Sequence, residues 1–166
     1  MTGRLPVMFP RTAQQQWWFA SPEEKSRSQA IGLRLAIAYH ERDAESVQRL
    51  LPEDDDEIRL VMGSLENGLL ALNQVYPPGP PDEVWERVTP IIDAVAPKGV
   101  GLRTRALLAA MSHAMYNVTL GEIYERKEQD PYTGAHLFAA ITAMRADEHE
   151  GGLQRMQDKV NELDQD

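Results

Sequence analysis

The chain has 166 residues, a net charge of −9 and no cysteine. That length fits one domain with a core large enough to stand without staples. It excludes disulfides, thiolate metal sites and cysteine nucleophiles. No run of roughly 18 apolar residues is present, so no segment is expected to span a membrane. The first residues, MTGRLPVMFP, have one arginine and a short apolar run cut by prolines, without the apolar core of a signal peptide, so the expected location is cytoplasmic.

Charge is unevenly spread. The first twenty residues hold Arg4 and Arg11 and no acid, which leaves a net −11 on the remainder. An acidic body repels phosphate backbones and argues against direct nucleic-acid binding, even where Arg103 and Arg105 open a helix.

Residues 1–20 read as an extended N-terminal arm. Trp17, Trp18 and Phe19 are consecutive, which matches neither a helical stripe nor an alternating strand. A helix begins at Ser21-Pro22-Glu23-Glu24, where Ser21 can cap, Pro22 suits the first position and Glu24 completes a capping box. It should run to about Glu41, with Ile31, Leu35 and Ala38 on one stripe and Leu33 and Ile37 beside it. Asp43 caps a short second helix that stops before Pro52. The acid run Glu53–Glu57 reads first as a solvated cap and first turn, where carboxylates favour the positive end of the helix dipole. It lacks the spaced ligands and glycine of a calcium loop.

The third helix has the clearest period. Ile58, Val61, Met62, Leu65, Leu69, Leu72 and Tyr76 recur at steps of three and four. Gly63 and Gly68 interrupt it, each at a cost of about 1 kcal/mol against alanine, and suit close approach of another helix. The segment YPPGPPDE breaks the helix and forms a stiff crossover between the halves 21–76 and 81–166 of a single helical domain, 21–166. Val84, Trp85, Val88, Ile91, Ile92 and Val95 then hold one phase across Pro90. This predicts a kinked helix, or two collinear ones with Thr89 capping the second.

A long helix follows from about Leu102, with Leu107, Leu108, Met111, Met115 and Val118 inward and a bend at Gly121. Asp130-Pro131 opens the next helix, carrying Leu137, Phe138, Ile141 and Met144, and Gly151-Gly152 is expected to stop it. Leu153, Met156, Val160 and Leu163 make a short heptad-like seam. The expected fold is all-α, a compact bundle of six to seven helices with an extended N-terminal arm.

The chemistry-bearing residues are sparse. His40, His113, His136 and His149 form no HExxH pair, and none has glutamate three residues before it, so neither a zinc helix nor a di-iron bundle is indicated. No nucleophile elbow, phosphate loop or dinucleotide fingerprint occurs. No catalytic residue, metal site or cofactor is therefore assigned. Asn117-Val118-Thr119 matches a glycosylation acceptor inside a helical segment and is read as accidental. His113, Tyr116 and Asn117 share a helical face and form a candidate small-molecule pocket.

Trp17, Trp18 and Phe19 would place a large apolar surface in water unless something covers it. The cover is the chain's own body, with the arm folded back, or a protein partner. Tryptophan and arginine are the usual anchors of interfaces, so Arg11, Trp17, Trp18 and Phe19 are the candidate partner-binding residues. A symmetric homodimer exchanging such arms is the simplest partnered form. The leading expectation is a non-enzymatic interaction module, regulatory or an assembly component, that self-associates. The alternatives are an acidic inhibitor that imitates nucleic-acid charge and a ligand-binding bundle or enzyme centred near His113.

Overall fold

In the computed structural model, residues 11–114 and 128–165 are described, without the side chains at 81, 82 and 108–114. Among them are eight helices and no strand, one helix more than the upper end of the expected range. The additional helix is α1, Ala13–Trp18, within the segment expected to be extended. Its six residues lack an apolar period and are held by end chemistry instead. Thr12 and Gln15 form a reciprocal capping box, with Gln15 N donating to Thr12 Oγ1 at 3.2 Å and Thr12 N donating to Gln15 Oε1 at 3.1 Å.

Helix α2 spans Pro22–Glu41 and begins with the expected box. Glu24 N donates to Ser21 Oγ at 3.2 Å and Ser21 N donates to Glu24 Oε1 at 3.3 Å. It ends at Arg42, whose left-handed backbone (φ 58°) turns the chain while its own guanidinium bonds the Tyr39 carbonyl at 2.7 Å. Asp43 caps the short α3, Ala44–Arg49, through Ser46 N at 3.2 Å. Helix α4 spans Asp55–Val75 and buries Ile58, Val61, Met62, Leu65 and Leu69, the predicted stripe, while Leu72 is half-buried and Tyr76 is exposed.

Helix α5, Pro81–Val95, is continuous through Pro90. Thr89 does not cap a second helix there. Its hydroxyl donates back to the Trp85 carbonyl at 2.7 Å inside the helix. Burial of Val88, Ile91, Ile92 and Val95 on one face explains why the helix continues despite the lost amide donor. Helix α6 spans Val100–Ala114. Helix α7, Pro131–Ala146, begins at the predicted Asp130 cap, with Thr133 N donating to Asp130 Oδ1 at 3.2 Å. It ends at Ala146, before the glycines. Gly151 (φ 74°) instead opens α8, Gly152–Asp164.

Helix α7 is the axis of the fold. It packs against α2, α4, α5, α6 and α8, and is buried nearly all round. Its small residues, Gly134, Ala135, Ala139, Ala140 and Ala143, let several helices approach it together. The core therefore joins residues from both sides of the crossover: Leu35, Tyr39, Val61 and Met62 meet Ile92, Leu137 and Ala140. Helix α8 lays Met156 and Val160 inward and packs on α2. Among the described residues, no helix is long and apolar enough to cross a membrane.

Candidate interaction site

Helix α1 lies against α4. The contact is made where α4 has Gly63: a Cβ there would stand 2.2 Å from the Ala13 carbonyl oxygen and 3.1 Å from Gln14 N. Only glycine leaves room for backbone at that distance. Ala13 is fully buried in the seat. Gly68, the other glycine of α4, faces open space. Close helix approach thus explains the first interruption and not the second.

Around Ala13 the seat is polar. The Glu128 carboxylate accepts from Ala13 N at 3.0 and 3.1 Å, so a negative charge sits on the unsatisfied amides that open α1. Arg59 on α4 holds that carboxylate at 2.6 Å and also bonds the Glu128 carbonyl at 2.6 Å and the Arg11 carbonyl at 3.3 Å. Its Nε donates to Gln16 Oε1 at 3.3 Å. Gln14 donates to Asn67 Oδ1 at 3.1 Å, and Asn67 in turn donates to the Gly63 carbonyl at 2.9 Å. Residues 11–18 are therefore folded back on the chain's own body.

Folding back covers only part of the aromatic run. Trp17 is half-buried, donates from Nε1 to Ser28 Oγ at 3.1 Å, and carries the Lys25 ammonium 5.5 Å above its ring. Trp18 stays 52% exposed and Phe19 67% exposed. The Arg11 guanidinium lies 4.3 Å from the Phe19 ring centre, a cation–π contact at the surface. The four predicted partner-binding residues thus divide: Trp17 is an anchor to α2, while Arg11, Trp18 and Phe19 form an exposed ledge. The acid run from Glu53 to Glu57 is exposed along the cap and first turn of α4.

The candidate pocket lies outside the described residues at Tyr116 and Asn117, and His113 contributes only helical backbone in α6. Among the described residues no group of three His, Asp or Glu side chains could hold a metal ion. A depression of about 240 Å³ lies at the turn between α5 and α6, lined by residues that include Ile92, Pro97, Lys98, Leu102 and Arg105.

Several working residues have no signature in the sequence. Glu128 and Arg59 meet across 69 positions. His136 is fully buried on α7, with Nδ1 2.7 Å from the Tyr39 hydroxyl and the Tyr132 ring edge-on at 4.7 Å. Its Nε2 is buried with no hydrogen-bond partner among the described residues. Burial, assisted by the Arg103 charge and opposed by Asp130, pushes the His136 pKa down from 6.5 to about 4. Burial likewise raises the Tyr39 hydroxyl above its ordinary range. This pair is a neutral, hydrogen-bonded piece of core. Compared with protein-family models, curated proteins and solved structures, the chain matches none.

Proposed function

We propose that this protein is a non-enzymatic interaction module that self-associates through the ledge of Arg11, Trp18 and Phe19. The observation that carries the reading is the exposure of two adjacent large aromatics on a helix already fixed to the body. Apolar surface of this kind marks interaction sites, and a rigid aromatic loses little side-chain entropy on docking. The Arg11 guanidinium stacked on Phe19 supplies a cation that an acidic chain of net −9 can meet on a second copy.

Light scattering of the full chain against the double variant Trp18→Ser with Phe19→Ser tests this. Both side chains are exposed, so the fold should survive their replacement. The full chain is expected as a dimer and the variant as a monomer with unchanged helicity. A full chain that stays monomeric at micromolar concentration, or a dimer indifferent to the two substitutions, overturns the reading.

A further inference from the structure

We infer that the self-association is an exchange of α1, in which the first helix of each copy occupies the Gly63 seat of the other. The inference rests on the function proposed above and names its partner surface. Three observations carry it.

The first is area. The exposed parts of Trp18 and Phe19 together offer on the order of 250 Å² per copy, from exposures of 52% and 67%. A stable interface needs roughly 800 Å² per partner. Ledge against ledge falls short. Exchange turns the α1 seat on α4, the same surface whichever copy supplies the helix, into a contact between chains, so the two copies part only when both helices leave their seats, while the surface newly buried relative to two monomers is the ledge.

The second is the way α1 is held. Ala13 is its one fully buried side chain. The remaining attachments are polar: Glu128 and Arg59 on its first turn, Asn67 on Gln14, and Ser28 on Trp17. Each of these bonds is made again in the partner's seat, so moving the helix from one seat to the other leaves their number unchanged.

The third is the connector. Phe19 ends α1 and Ser21 caps α2, so Ala20 alone separates the two caps. A short connection that folds a terminal helix back on its own body is the usual hinge of an exchanged dimer. In a reciprocal exchange the two connectors cross near the two-fold axis, which brings the residues flanking them face to face. Those residues are Trp18 and Phe19. Exchange therefore covers the ledge, which folding back within one chain leaves open.

The chain has no cysteine, so a pair can be placed cleanly. Gln14→Cys with Asn67→Cys replaces side chains whose polar atoms are 3.1 Å apart. A short bismaleimide links them, and denaturing gels together with light scattering of the untreated sample read the result. Exchange predicts a dimer whose crosslink runs between chains, giving a covalent species of twice the chain mass. A dimer crosslinked within each chain overturns exchange and leaves self-association through the ledge standing. A monomer crosslinked within the chain overturns both. Should the pair not react, insertion of four Gly-Ser residues after Ala20 decides: a longer hinge eases the turn by which α1 folds back on its own chain, so exchange predicts a shift to monomer, and an unchanged dimer rejects it.

Discussion

Gly63 and Gly68 occupy the same helix, five residues apart, and their substitutions should have opposite signs. Alanine is favoured over glycine in a helix interior by about 1 kcal/mol. Gly68 meets nothing within 4 Å, so Gly68→Ala should gain that amount and raise Tm by about 2–4 °C. At Gly63 the added carbon would stand 2.2 Å from the Ala13 carbonyl oxygen, and Gly63→Ala should unseat α1. Hydrogen exchange should then find the Ala13 amide deprotected while α7 stays protected; an α1 as protected as before would show that the seat does not depend on the glycine. His136 makes a second prediction at this scale. Its folded pKa of about 4 lies below the ordinary 6.5, so between those values the unfolded chain takes up a proton that the folded chain refuses. Stability is unaffected by this group above pH 6.5, falls as pH drops through the window, and has lost roughly 3 kcal/mol below it. His136→Gln keeps a polar partner for the Tyr39 hydroxyl and should flatten the urea-melting slope near pH 5 by about 1 kcal/mol per pH unit. Identical slopes in the two proteins would mean that the ring protonates without unfolding.

Elements differ in how much of them the sequence states. The starts of α2, α3 and α7 were legible because Ser21, Asp43 and Asp130 each cap through atoms within three residues. The persistence of α5 through Pro90 was half legible: the unbroken apolar phase was visible, and the back-bonding of Thr89 to Trp85 was not. Helix α1 was only partly legible: Thr12 and Gln15 spell its capping box three residues apart, but no apolar period follows it. Six residues cannot hold a helix on propensity, and what holds this one comes from Arg59 and Glu128, 46 and 115 positions beyond Ala13. That dependence is testable. Glu128→Gln removes the charge from the first turn of α1 and from Arg59, and should weaken α1 protection by about 1–2 kcal/mol with little change in the global melt. A global loss of the same size would place Glu128 among the supports of the core rather than of the arm.

At the scale of the whole molecule, the apolar stripes disclosed an all-helical core and left hidden how its two halves are fastened together. Arg145 does much of that fastening. Its side chain is 3% exposed, near the C-terminal end of α7. There it donates to Glu148 at 2.7 Å, to Asn73 Oδ1 at 2.6 Å and to the Tyr76 carbonyl at 2.6 Å, the last two at the end of α4 where the proline crossover departs. Glu148 also accepts from Arg87 on α5 at 2.6 Å. Burial alone would raise the Glu148 carboxyl, but the bonds from Arg87 and Arg145 outweigh it and hold the group below the ordinary carboxylate range. The Arg145 guanidinium and the Glu148 carboxylate thus together tie α4, α5 and α7 at the point where the chain passes from one half to the other. No local pattern announces an arginine buried this way, since its partners on α4 are 69 and 72 positions distant and Glu148 three residues on shows only half of the junction. Arg145→Met keeps the bulk of the stem and removes every donor, leaving the Tyr76 carbonyl and Asn73 without their partner. The expected loss is about 3 kcal/mol, or about 6–12 °C in Tm for a chain of this size. Glu148→Gln should cost less, because Arg145 keeps its two bonds to α4. A ranking in which Glu148→Gln is the more damaging would mean that the α5 contact through Arg87, and not the α4 contact, fastens the halves.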